Sequence, residues 1–191
     1  MTNVLIVYAS QFGNTEKMAK AMEQTLLESS EIKCQLKKAE TVTETDFINA
    51  DAIILGSPVK MGSIDWQLKK MIDTVMGSLW VANKLVGKVG GTFASGGGFG
   101  KGGAGAEITF TSLANVLMEM GIIYVPLPKN TQGYKFGGIQ WGAYGVSANE
   151  DMQPQTLMEN QLEVCRIHAQ NIARVAKTIN GQNLFQCELE N

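Results

Sequence analysis

Ser10, Gly13, Asn14 and Thr15 stand where an apolar run, Val4–Tyr8, gives way to a run with helical spacing. Hydroxyls and a glycine at such a junction suit an anion. A helix start offers unpaired N–H groups and the positive end of its dipole, so phosphate is attracted there. Gly13 lets the backbone approach closely, while the Ser10 and Thr15 hydroxyls donate to phosphate oxygens. A plainer alternative is that Asn14 or Ser10 only caps the helix. No lysine stands between Ser10 and Thr15, and no stretch matches Gly-x-x-x-x-Gly-Lys-Ser/Thr, so a nucleoside triphosphate is not the expected ligand. A neutral hydroxyl loop suits a single phosphate whose charge need not be cancelled.

Two other stretches carry related chemistry. Ser57-Pro58-Val59-Lys60-Met61-Gly62 sets a stiffening proline before one cation, and Lys60 could face the edge of a ring. Alone, Lys60 reads as a solvated surface residue. Nearly half of the 21 glycines fall between Gly87 and Gly105, a run that holds Ser95, Gly96, Gly97, Gly98, Phe99 and Gly100. Bare backbone can lie against a flat ligand and donate N–H groups to its edge; a loose surface loop is the plainer alternative. Gly98 to Gly103 also satisfies Gly-x-Gly-x-x-Gly, but a glycine-heavy region matches that pattern by chance. The one histidine, His168, sits mid-pattern in a late helix and reads as a partly packed residue without chemistry. No Ser/His/Asp or Cys/His constellation stands out for nucleophilic catalysis.

These stretches need a scaffold that brings them together. Val4–Tyr8 and Ala52–Leu55 are unbroken apolar runs, as expected of parallel strands covered on both faces. Ile32, Cys34 and Leu36 alternate with Lys33 and Gln35, the pattern of an edge strand. Phe93 and Ala94 end a weaker, glycine-diluted strand, and Ile122–Val125 make a short last one. Helical stripes lie between: Met18, Ala19, Met22 and Leu26; then Leu68, Met71 and Ile72; then Leu113, Val116, Leu117 and Met120. One long amphipathic helix is expected from Pro154, a good first-turn residue, to a stop at Asn180-Gly181. Lys129–Asp151 shows no clear pattern. Strands alternating with helices imply a parallel sheet with helices on both faces. In such sheets ligands bind beyond the carboxyl ends of the strands, where strand order reverses, and all three chemical stretches follow strands. Nothing splits the chain, so residues 1–191 are expected to form one domain.

A net charge of −2 offers no general attraction to nucleic acid or anionic membrane. No apolar run approaches membrane-spanning length. The amino terminus lacks the basic flank and cleavage site of a signal peptide. Cys34, Cys165 and Cys187 are an odd number at unrelated spacings, which argues against a disulfide framework or a zinc site. A cytoplasmic protein is expected.

In order and register the three stretches resemble the flavodoxin-like fold. More closely, the chain is similar to NAD(P)H:quinone oxidoreductases of the tryptophan-repressor-binding-protein (WrbA) family. The likeness runs through Ser10-x-x-Gly13, Ser57-Pro58 to Gly62, Gly77-x-Leu79-Trp80, Leu85-x-Gly87-Lys88 and Ser95 with its glycines. It continues through Glu107, Leu113-Ala114, Gly121 with Val125-Pro126, Gly142-Ala143 and Gln153-Pro154. It implies a doubly wound, five-stranded parallel sheet in the order 2-1-3-4-5 with helices on both faces. FMN would be the cofactor, NADH or NADPH the electron donor, a quinone-like molecule the acceptor, and the assembly a homodimer or homotetramer. The resemblance also implies that Ser10, Gln11, Phe12, Gly13, Asn14 and Thr15 hold the FMN phosphate. Pro58, Val59, Lys60, Met61 and Gly62 would meet the flavin ring, and Ser95, Gly96, Gly97, Gly98, Phe99 and Gly100 its other edge. Phe12 stands where the family has an aromatic near the nicotinamide site. Trp80 stands where a tryptophan lines the substrate pocket, covering the flavin of a neighbouring subunit. Two features depart from the family: its inserted segment is missing between Glu40 and Asp51, and Met120 replaces its active-site histidine.

Three functions are compatible with this reading. A flavin enzyme leaves hydride chemistry to the cofactor, which fits the lack of a protein nucleophile. A one-electron carrier would present a strongly acidic face and aromatics around its ring, whereas the net charge is −2 and Ser57–Gly62 contains no aromatic. A regulatory flavin-binding protein without turnover is the third, resting on Met120. The enzyme ranks first, with two-electron transfer expected at an uncovered ring face.

Overall fold

In the computed structural model, which describes residues 1–98 and 103–185, the first apolar run forms β1 (Thr2–Tyr8), buried at every position but Asn3. Its side chains alternate between two cores. Val4, Ile6 and Tyr8 join Met18, Met22 and Leu26 of α1 (Asn14–Leu27), while Leu5 and Val7 face the opposite layer. Coverage on both faces is what makes the run unbroken. β2 (Ile32–Lys38) alternates half-buried and exposed positions and lies at the sheet edge, as its pattern predicts. After α2 (Glu44–Asn49) comes β3 (Ala52–Pro58), buried up to its last residue. The chain returns through α3 (Trp66–Met71), a π-helical turn (Ile72–Met76) and α4 (Gly77–Val81). β4 (Val89–Gly96) is wholly buried, and α5 (Ala106–Glu119) follows it.

These strands pair in the order β2-β1-β3-β4, all parallel. Strand order therefore reverses beside β1. Leu68, Met71, Leu113 and Leu117 cover one face of the sheet; α1 and α7 (Glu159–Ile179) cover the other. Each fully buried Leu, Ile or Met contributes on the order of 1.5–3 kcal/mol, so these layers fix the strands whose ends carry the chemical stretches. The glycines that dilute β4 let both layers come close. A Cβ on Gly91 would lie 2.4 Å from Ile172 Cδ1 of α7, and one on Gly90 only 2.8 Å from Ile122 Cγ2 on the other face.

The fifth position departs from the single strand expected at Ile122–Val125. β5 (Ile123–Tyr124) pairs only with Val89 and Gly90, at the start of β4. After α6 (Tyr134–Gly137) and β6 (Gly138–Ile139), β7 (Gly142–Val146) takes the remaining length, pairing with Thr92 to Gly96. Thus two short strands share the fifth place of the order 2-1-3-4-5, and β6 adds an antiparallel edge. Residues 129–151 hold a strand without a readable pattern because tight fit selects glycine there: a Cβ on Gly142 would lie 2.0 Å from the Thr92 carbonyl oxygen. A polar triangle of Thr92 Oγ1, the Tyr124 hydroxyl and the Trp141 carbonyl ties the two strands together.

The last helix starts later than expected. Pro154 bridges to Ala148 instead of opening α7, because Asn149 Oδ1 accepts from the amides of Asp151 and Gln153 and turns the chain back. Gly181, at φ +76°, follows the helix end as predicted. His168 is not partly packed: it is fully buried, and neither ring nitrogen has a hydrogen-bond partner among the described residues. Burial drives its pKa down to about 4. Burial also pushes the Cys34 and Cys165 thiols up to about 12, so neither is a reactive thiolate; Cys187 lies outside the described residues. No helix among the described residues is long and apolar enough to cross a membrane.

Candidate functional site

β1, β3 and β4 run in one direction, so the stretches that follow them emerge at one edge of the sheet. The first, after Tyr8, turns into α1 at Gly13, whose φ of +85° is the left-handed region that glycine enters without strain. The first amides of a helix lack intrahelical acceptors. The Glu16 amide donates to Ser10 Oγ at 3.3 Å and the Lys17 amide to the Gly13 carbonyl at 2.9 Å. That leaves the Asn14 and Thr15 amides at the mouth of the helix.

The second stretch is a tight hairpin. Lys60 and Ser63 exchange backbone hydrogen bonds of 2.8 and 2.9 Å around Met61 and Gly62, both at positive φ. Met61 is fully exposed at the tip. The hairpin's base is fixed by buried Ser57, whose hydroxyl donates to the Pro58 carbonyl at 2.8 Å and accepts from the Asp65 amide at 2.9 Å. Asp65 in turn caps α3, accepting from the Gln67 amide.

The third stretch leaves β4 at Ser95 and Gly96. Three contacts draw it against the other two. Ser95 Oγ lies 2.8 Å from Thr15 Oγ1 in a buried setting. The Val59 amide donates to the Ser95 carbonyl at 2.7 Å. Gly105, at the start of α5, sits on the hairpin so closely that a Cβ there would lie 2.2 Å from Gly62 Cα. The first and second stretches meet directly as well. The Lys60 ammonium lies 4.6 Å from the centre of the Phe12 ring and donates to Gln11 Oε1. Phe12 itself is 81% exposed.

Sequence reasoning missed a fourth wall. Gly96 runs between Val59 and the Tyr144 hydroxyl of β7, and Gly97 passes Ala148 and Met152. Beneath, Phe110 stacks with Trp141 at 6.5 Å and meets Tyr144 edge-on at 6.3 Å, making a small aromatic core under the third stretch. The only sequence signal for this wall was Gly142-Ala143 within the family likeness. Phe99 and Gly100 lie outside the described residues. Trp80 stands apart from the loops. It ends the helical segment that runs back from the loop edge, lies 48% exposed, and shares a cavity of about 500 Å³ with Ile72, Val116 and Met120. The position of the missing family histidine and the tryptophan thus line the same groove.

The edge assembled here offers amides, two hydroxyls near a helix start, bare backbone from two strand ends and one lysine. The hydroxyls and helix amides suit one phosphate ester. The approach of Gly62, Gly96 and Gly105 suits a flat body laid on backbone, so a phosphate-bearing planar cofactor fits the residues present.

Comparison with known proteins gives four further findings. The flavodoxin domain pattern matches residues 5–89. The chain is 30% identical to an NAD(P)H dehydrogenase (quinone) of Paracoccus denitrificans (strain Pd 1222), over 94% of this chain and 96% of that one. It is 33% identical to a flavodoxin of Aquifex aeolicus (strain VF5), over 95% and 91% of the two chains. Among solved structures, a WrbA-like flavodoxin protein from Agrobacterium tumefaciens has the same fold, with a TM-score of 0.68 at 24% identity, covering 93% of this chain and 99% of that one.

Proposed function

Because this chain belongs to the flavodoxin-like NAD(P)H dehydrogenase (quinone) family, we infer that it is of the WrbA type, binds FMN and passes two electrons from NADH or NADPH to a quinone-like acceptor. One observation carries this reading: three strand ends converge on a lysine-free hydroxyl loop at a helix start, beside bare backbone where a flat ring can lie. FMN, once bound, supplies the hydride chemistry.

The chain's own residues bind and orient. Ser10 and Thr15 donate hydroxyl protons to the phosphate, helped by the Asn14 and Thr15 amides at the helix mouth. Pro58 to Gly62 and Ser95 to Gly98 hold the ring edges. Lys60 places a cation beside the ring, where it favours negative charge on reduction. Phe12 is exposed at the rim, which supports a role for it in meeting a nicotinamide. Trp80 and Met120, together on a groove away from their own loops, support a homo-oligomer in which a neighbouring subunit presents that groove to the site. An aromatic wall of this kind stacks on a planar acceptor.

The relative named flavodoxin favours a second reading, an electron carrier without direct hydride transfer. One measurement tests the cofactor that both readings share, and a second separates them. Calorimetric titration should show FMN binding and no tighter binding of ATP; failure of FMN to bind removes the proposal. Stopped-flow mixing with NADH or NADPH, then a quinone, should show rapid reduction and reoxidation, whereas a carrier would not be reduced by the nicotinamide.

A further inference from the structure

Tyr144 is a large side chain that the redox reading does not use, and its surroundings are unusual. It is 1% exposed, yet its hydroxyl has no hydrogen-bond partner among the described residues. A buried hydroxyl left unpaired costs free energy, so such a group marks a partner that arrives later. The hydroxyl is not aimed at the core. A Cβ on Gly96 would lie 2.7 Å from it, so the phenol oxygen sits directly beneath the start of the third stretch. The ring is held there by Phe110, and β7 is fixed by its pairing of Tyr144 with Ala94. The Gly98 amide faces the phenol oxygen without closing a hydrogen bond. Burial pushes the Tyr144 pKa up to about 12, against the pull of that amide, so the phenol keeps its proton at ordinary pH.

We propose that Tyr144 is a positioning residue for the third stretch: as the cofactor seats, the Gly98 amide closes onto the phenol oxygen and the Gly96–Gly98 peptides are fixed in the direction that faces the ring. The inference rests on the FMN reading. Gly96 is the residue that permits it, since any side chain there would strike the phenol and Val59 together. The hydroxyl loop and the hairpin hold the third stretch at Ser95, through Thr15 and the Val59 amide, whereas Tyr144 meets it beyond, at Gly96. The role is separable from core packing. Among the described residues the hydroxyl holds no bond, so its removal should cost the fold of the apo-protein nothing, while in the loaded protein it should release the loop.

The test is Tyr144→Phe, compared with wild type by FMN titration of apo-protein and by thermal melting of apo-protein. The variant keeps the ring and its contact with Phe110. The apo melting temperature should be unchanged or raised, while the FMN dissociation constant rises about five- to tenfold, as for one lost hydrogen bond. An unchanged dissociation constant in the variant, with wild type binding FMN, overturns the inference and leaves the FMN reading standing. A fall in apo melting temperature alongside weaker binding overturns it in favour of a structural role. If wild type itself takes up no FMN, both fall together.

Discussion

Thr15 Oγ1 and Ser95 Oγ lie 2.8 Å apart, and each hydroxyl has only one proton to give. If Ser95 donates to Thr15, the Thr15 proton is free for a phosphate oxygen, and the two residues act in series. Thr15→Ala should then weaken FMN binding by about 1.5 kcal/mol, as for a hydrogen bond to a charged group, and Ser95→Ala by less. Calorimetry on both variants checks the order, and a larger loss for Ser95→Ala would reverse the assignment. Residue types at this scale were legible: hydroxyls, a glycine and no lysine at a strand-to-helix junction restrict the chemistry before any fold is known. Tyr144 was not legible. Its place under Gly96 comes from a strand register some fifty residues away, which no local spacing encodes.

At the scale of elements, α7 carries a titratable group into the core. His168 lies in its buried stripe with both ring nitrogens unpartnered, beside the close approach of Gly91 and Gly142. The unfolded imidazole takes a proton near pH 6.5, whereas the folded one resists until about pH 4. The unfolded state therefore binds more protons across that window. Stability is full above pH 6.5 and should fall by up to roughly 3 kcal/mol as the pH drops toward 4. Urea unfolding at several pH values should show this slope, and His168→Leu should flatten it; an equal slope in the variant would assign the loss to carboxylates. The helix itself was legible from its stripe and its glycine stop, but its start was not. A proline suits a first helical turn, yet Asn149 captured the backbone amides ahead of it and delayed the helix to Glu159. β1 and β3 were legible because burial on both faces leaves continuous apolar runs. β7 was hidden because close packing replaced large apolar residues with glycine.

For the whole molecule, the groove that holds Trp80 and Met120 lies between the returning helical segment and α5, away from the loops. Trp80 is half exposed, so Trp80→Ala should cost far less than the roughly 3–5 kcal/mol of a fully buried tryptophan. Its melting temperature and FMN occupancy should stay close to wild type while quinone KM rises, and wild type should sediment as a dimer or larger. A monomeric wild type, or severe destabilisation with unchanged KM, would return Trp80 to an ordinary packing role. The fourth wall of the site has one more consequence, for synthesis on the ribosome. Residues 10–15, 57–65 and 95–98 emerge early, yet Gly96 and Gly97 find their opposite side only at Tyr144, Ala148 and Met152. A nascent chain halted before β7 can order its first strands but leaves the far side of β4 uncovered and the third stretch without support. If the chain takes up FMN as proposed, capture should wait for near-completion of translation, and a prematurely ended chain should be a poor trap for free flavin.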